Sequence, residues 1–323
     1  MAAKSDAALQ AKLDDLAALR GGALDDRART VLAAALRDKT NLVVARAAEV
    51  AAELEATTLE PDLLAAYGRL VVDGVRRDPT CAGKIAIALA LRGWGYDDRD
   101  FWRAAAAYRQ PEPSWGPPVD TAARLRAESA LALAHSGHSD TLLDLVPLLA
   151  DPELDARLGA IQAIAATAQP GAAPLLWHKL LVGDTEPEAY YEAFVALLLL
   201  TPERALPFVA GFLAADRPGV PEVAALALGE SQREAALPYL QAALETADDP
   251  AVRRSIPLGI VLLRSEAGMA YLIELVGEGS DLDAAAALKA LEIVRHDERL
   301  WARAQAAYAA RPRPAGGGRQ RGV

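Results

Sequence analysis

Cysteine is almost missing from this chain: Cys81 is the only one in 323 residues. No intramolecular disulfide can form, and nothing asks for an oxidising compartment. Histidine is nearly as scarce, with four residues. A glycine-rich phosphate loop, Cys-x-x-Cys, His-Glu-x-x-His and Gly-x-Ser-x-Gly are all absent. Long apolar runs are lacking too. The longest, Ala193–Leu200, is far shorter than the ~20 residues that span a bilayer. The N-terminal MAAKSDAALQAKLDDLAAL is charged and amphipathic, without the continuous apolar centre of a secretion signal. These absences predict a cytoplasmic chain with no membrane partner, no metal site, no cofactor and no catalytic set.

A basic excess is also lacking. The net charge is −10, and it is uneven. Residues 1–119 carry 16 Lys and Arg against 17 Asp and Glu, whereas residues 120–310 carry 14 against 27. The last thirteen residues hold four Arg and no acid. An acidic body repels phosphate backbones, so nucleic acid is not expected as a partner.

What the chain does have is apolar content, 52% of residues, much of it alanine. Alanine favours helix and lets helices approach closely. The stretch Asp151–Leu181, DPELDARLGAIQAIAATAQPGAAPLLWHKLL, shows the organising unit. Asp151-Pro152 suits a helix start. Leu154, Leu158, Ile161, Ala165 and Ala168 share one helical face. Gln169-Pro170-Gly171 predicts the break, with glycine tolerating left-handed angles. Leu175, Leu176, Leu180 and Leu181 then mark a second helix.

The unit recurs. Asp151, Asp184, Asp216, Asp249 and Asp281 stand at steps of 33, 32, 33 and 32 residues. Pro174, Pro207 and Pro238 keep phase with them. A fixed period in this range predicts stacked helix pairs, since one pair cannot bury its apolar face alone. Residues 120–310 read as regular repeats. Residues 1–119 read as capping helices and irregular repeats, ending in a Pro/Trp loop at 110–119. The tail 311–323, RPRPAGGGRQRGV, reads as disordered and basic. The QPEPSWGPPV loop breaks the period; its prolines predict an ordered, partly polyproline segment anchored by Trp115.

These residues resemble the HEAT-repeat family. Asp120/Arg126 and Asp151/Arg157 match its Asp with an Arg six residues on, and AALALG at 224–229 matches its first-helix ending. Glu222 stands where the Asp216 unit should have that Arg, so a charged ladder would be interrupted there. The resemblance implies an all-α, alpha-alpha superhelix of about eight stacked helix pairs, with second helices on a concave wall. It implies no single activity. The short units are similar to those of phycobilin lyases, although nothing marks a bilin site. Deoxyhypusine hydroxylases bind iron through His-Glu dipeptides; here the histidines precede Ser136, Ser139, Lys179 and Asp297. A DNA glycosylase of this architecture wants a basic groove, which the acidic body opposes.

Two groups of aromatics are candidate partner-binding residues. Trp94, Tyr96, Trp102 and Trp115 cluster where the period breaks, and insertions in solenoids often lie on the binding face. The alternative is that they form the loop's own small core. Trp177, His178, Tyr239 and Tyr271 fall on second helices, with ordinary repeat filling as the alternative. His135 and His138 sit in an inter-helix turn and read as turn residues rather than a metal pair. The function expected is a non-catalytic scaffold that binds a protein or peptide on the concave face or near Trp115. The alternative is an enzyme on the same fold, lyase or glycosylase-like, with its site in the groove.

Overall fold

The structure, a computed structural model, describes residues 2–311, with side chains from residue 7 onward. The expected basic tail lies outside the described residues from 312 on. The chain is all-α, built of successive helix pairs, and divides into two compact units, Met1–Leu175 and Leu176–Val323.

The first unit holds α1 (Ala2–Ala17), α2 (Asp26–Leu36), α3 (Asn41–Glu53), α4 (Glu60–Val71), the short α5 (Gly74–Arg77), α6 (Ala82–Gly93) and α7 (Arg99–Ala107). After them come β1 (Pro111–Glu112), β2 (Val119–Asp120), α8 (Ala123–His135), α9 (Thr141–Leu145) and α10 (Leu154–Ala166). Helix α11 (Ala172–Val182) contains the division. The second unit continues with α12 (Pro187–Leu200), α13 (Pro202–Ala210), α14 (Val220–Glu230), α15 (Leu237–Thr246), α16 (Pro250–Leu262), α17 (Glu266–Glu278), α18 (Asp281–Leu291) and α19 (Glu298–Ala309).

The first helix of each pair is the buried one. Helix α3 buries Val43, Val44, Ala47, Ala48, Val50 and Ala51, and α14 buries Ala224, Ala225, Ala227, Leu228 and Gly229. Helices packed on two sides need small residues, and the closest approaches use them. A Cβ on Gly159 would collide with Ala127, and one on Gly229 with the backbone of Gly259. Second helices bury a single stripe, such as Leu237, Leu240 and Leu244 on α15. Several are shorter than the apolar pattern suggests. Residues 146–150 and 211–214 tighten into 3-10 turns that finish α9 and α13. Such i→i+3 turns satisfy terminal carbonyls that an α-helix leaves open.

Two local expectations are corrected. The left-handed residue between α10 and α11 is Ala168 (φ 48°), not Gly171. Gly137, Gln232 and Arg264 take the same conformation at the matching turns. The helix therefore ends one turn residue earlier than Pro170 would force it to. The second correction concerns the phase-marking aspartates. Asp151 accepts from the N–H of Glu153 (2.9 Å), Asp184 from Glu186 (3.0 Å), Asp120 from Ala122 (3.1 Å) and Asp249 from Ala251 (2.7 Å). In the first three, this turn lies outside the helix proper rather than capping it. One oxygen holds the turn and the other remains available to a cation.

Asp120 and Asp151 take that cation from Arg126 on the first helix α8, whereas Asp184 takes it from Lys179 on the second helix α11 (2.7 Å). Arg126, buried on α8, donates Nη1 to Asp120 (2.8 Å) and to the carbonyl of Tyr108 (3.0 Å). Arg253 on α16 donates to the carbonyls of Leu244 (3.0 Å) and Ala247 (2.7 Å), and pairs with Asp283 through Nη2 at 2.6 Å. Arg311 does the same at the end of α17, reaching the carbonyls of Val276 (2.9 Å) and Gly279 (3.0 Å) and the carboxylate of Asp281 (2.7 Å). Guanidinium forks match carboxylate and carbonyl geometry and suit the negative end of a helix. In the second unit the buried carboxylate of the α18 repeat is Asp283, two residues after the phase marker Asp281, which is exposed.

Candidate interaction sites

The Pro/Trp loop is a hairpin. Pro111 pairs with Asp120 and Glu112 with Val119 in an antiparallel ladder. Its base is locked by side chains rather than by the tryptophan. Gln110 donates Nε2 to the carbonyl of Asp78 (2.8 Å) and to Glu112 (2.7 Å), and its N–H binds Asp120 (2.9 Å). Glu112 also accepts from Thr121 Oγ1 (2.7 Å) and the N–H of Thr80 (2.7 Å). Burial pushes the Glu112 carboxyl upward, but these donors outweigh it and hold it below the usual carboxylate range. The anchor expected at Trp115 is thus Gln110 and Glu112. Trp115 itself is fully exposed at the tip. There Ser114 Oγ donates to the carbonyl of Pro117 (2.6 Å).

The other members of the first aromatic group separate from it. Trp102 is 1% exposed and donates Nε1 to the carbonyl of Tyr96 (2.8 Å), so it shapes this region from beneath. Tyr96 and Trp94 are half-buried. Tyr96 packs edge-on to Phe101 and Trp102 at 5.5 and 6.3 Å, whereas the Trp94 Nε1 is buried without an acceptor. A local aromatic core therefore exists, formed by Tyr67, Tyr96, Phe101 and Trp102.

In the second unit, Trp177 stacks on Phe208 at 4.1 Å, and Phe208 meets Phe212 edge-on at 5.3 Å. Trp177 is half-buried and His178 is exposed beside it. Tyr239 is 40% exposed, while Tyr271 is half-buried. The two tyrosines make no ring contact, so among the described residues they do not form a stacked ladder.

An open groove of about 830 Å³ lies in the second unit, between the 3-10 end of α13 and helix α15. Tyr239 stands on its wall, with Asp216, Arg217, Glu222, Asp248 and Asp249 around it. Arg217 is already engaged: it donates Nη1 to Tyr190 Oη (2.6 Å) and lies over that ring. Among the described residues Glu222 makes no ion pair, and its Oε2, shut off from solvent, accepts no hydrogen bond.

The polar residues that the sequence pattern did not bring forward are Lys84 and Asn41. Lys84 and Asp78 form a fully buried ion pair at 2.8 Å, and Asn41 Nδ2 reaches the same carboxylate at 3.0 Å. The signal was present, because Lys84 lies six residues after Asp78, the spacing of Asp120 and Arg126. Among the described residues no group of His, Cys, Asp and Glu is placed to hold a metal, and no helix is long and apolar enough to cross a membrane.

No curated protein matches the sequence. Matches among solved structures include three chains of low sequence identity. A complex of the phycocyanin lyase chains CpcE and CpcF from Nostoc sp. shows 17% identity and a TM-score of 0.38, covering 75% of this chain and 93% of that one. Human deoxyhypusine hydroxylase, bound to glycerol, shows 21% identity and a TM-score of 0.32, covering 79% and 91%. An engineered protein shows 16% identity and a TM-score of 0.34, covering 93% and 94%. The family description HEAT repeats matches residues 177–261 and 205–292. The chain is therefore an all-α helical solenoid that carries HEAT repeats over residues 177–292.

Proposed function

We propose that the chain is a non-catalytic interaction scaffold that captures a protein partner through the hairpin bearing Trp115. The observation that supports this most directly is the contrast within the hairpin. Its base is immobilised by Gln110, Glu112 and Thr121, while its tip exposes an entire indole. An exposed tryptophan loses apolar contact with nothing in return, unless a partner covers it, and tryptophans dominate binding hot spots. A rigid base lowers the ordering cost of binding. The acidic repeat body favours a basic or neutral partner over nucleic acid.

An enzyme would want an enclosed pocket with an ionisable group tuned for proton transfer. Asp120, Asp151 and Asp283, whose carboxyls lie below the usual range, are held by arginines that also tie helices together. This favours a scaffold. We also place the protein in the cytoplasm, in keeping with its single buried thiol.

The test is affinity capture with wild type and Trp115→Ala side by side, with circular dichroism on both. The expected result is a defined protein retained by wild type, reduced at least tenfold with Trp115→Ala, at equal helicity. Equal recovery by both proteins would remove Trp115 from the binding face.

A further inference from the structure

Helix α6 is apolar almost all round. Its only charged residues are Lys84 and Arg92, and both are engaged within the chain. Lys84 is buried against Asp78 at 2.8 Å, and Arg92 pairs with Glu128 at 2.9 Å. The helix packs between α3 and α8, which cover two of its sides. Its outward stripe is Ala82, Ile85 and Leu89, all half-buried and at helical spacing. A surface helix normally turns charge to water, and one that is hydrophobic all round belongs in an interior. Among the described residues no element closes over this stripe.

The stripe is the floor of an open groove of about 520 Å³ within the first unit. Leu13 on α1 and Leu42 and Ala45 on α3 extend the apolar lining, and Leu42 is 49% exposed. The rim carries both signs: Arg46 and Glu49 on α3, and Arg124 on α8. Arg46 and Glu49 pair with each other at 2.7 Å, one turn apart.

Two observations bear on what fits this groove. The first is the mixed rim. A partner of one charge calls for a rim of the opposite charge, and this rim is not of one sign. A two-fold axis that sets two α3 helices antiparallel brings Arg46 of each copy to Glu49 of the other. That is the self-complementarity an isologous contact requires. The second is where the chain keeps its acid excess. Residues 120–310 carry 14 basic against 27 acidic residues, whereas residues 1–119 carry 16 against 17. All of the groove's lining except Arg124 lies in the balanced segment. Like charges oppose the approach of two copies through the acidic repeats and leave the balanced segment as the place where they can meet.

We propose that the groove over α1, α3 and α6 is the face through which two copies of this chain associate as a symmetric dimer. Ile85 and Leu89 form its apolar centre, and Arg46 and Glu49 pair across it. This face is separate from the Trp115 hairpin, and either assignment can fail while the other stands.

The experiment is sedimentation equilibrium of the full chain over a hundredfold dilution series, with circular dichroism on every variant. The wild type is expected at twice the chain mass. Ile85→Glu puts a charge at the centre of the stripe, where the side chain already meets solvent, and should give monomer at equal helicity. Leu42→Glu, at the more open edge, should weaken the dimer at least tenfold. Leu199→Glu makes the same change on α12 at a leucine that is 75% exposed, and should leave the dimer as in wild type. Arg46→Glu and Glu49→Arg should each weaken the dimer at least fivefold, and the two together should restore it. A wild type that is monomeric throughout would give the groove to a different protein and overturn the assignment. So would wild-type association in both Ile85→Glu and Leu42→Glu, or equal dissociation in Leu199→Glu. Weakening by the two charge changes that persists when they are combined would overturn the antiparallel pairing.

Discussion

Arg126 grips Asp151 through two parallel hydrogen bonds, Nε to Oδ2 and Nη2 to Oδ1, both at 2.9 Å, across 25 residues of sequence. Both side chains are fully buried. The same guanidinium holds Asp120 and the end of α7, so one residue joins two consecutive repeats. The carboxylate is shared in turn, since Arg109 donates to Asp151 Oδ2 at 2.7 Å.

Asp151→Ala leaves the Arg126 charge buried without its main partner. Removing one member of such a pair costs about 3–5 kcal/mol. Urea unfolding should show that loss, with the first unit melting first.

The same arginines set the acid stability. Burial pushes Asp120, Asp151 and Asp283 upward, but hydrogen bonds and charge from Arg126 or Arg253, with backbone donors at Asp120 and Asp151 and the Ser280 hydroxyl at Asp283, outweigh it and hold all three below the usual carboxylate range. A carboxyl depressed in the folded state stabilises the fold fully above its unfolded value, near pH ~4. That contribution fades as pH falls through the lower folded value. Thermal unfolding should therefore be flat in these groups from pH 7 to about 5, then fall steeply below about 4. Asp283→Asn should flatten the acid limb for the second unit; an unchanged limb would show that other groups drive it.

Ala168→Gly should stabilise the chain. Ala168 sits at φ 48°, where a β-carbon costs about 1–2 kcal/mol, partly offset by glycine's greater unfolded freedom. The expected net gain is about 0.5–1 kcal/mol in chemical denaturation. The matching position between α8 and α9 already holds Gly137 at φ 69°.

The Cys81 thiol should be inert in the folded protein. Burial pushes it up to about 12, and the nearby Lys84 ammonium only partly opposes that. Thiolate is the reacting form, so labelling by a maleimide at pH 7.5 should be at least a hundredfold slower than in denaturant. Fast labelling of native protein would reveal opening between α4 and α6.

The sequence by itself determined the helix pairs and their period. Leu154, Ile161 and their equivalents repeat at helical spacing, and Asp151, Pro174 and their successors keep phase, because each pair must present the same apolar stripe to the next. It also showed where the repeat is interrupted, at Glu222 and in the loop around Trp115. Only the tertiary structure decided what those interruptions mean. Whether Trp115 anchors its loop or leaves it depends on Gln110 and Glu112 reaching Asp78 and Thr80, about thirty residues back in the chain. Whether Trp102 faces a partner or the core depends on its packing against Tyr96 and Phe101. Spacing along one helix sets which residues share a face; which faces meet, and which charges find partners, is set by elements distant in the chain.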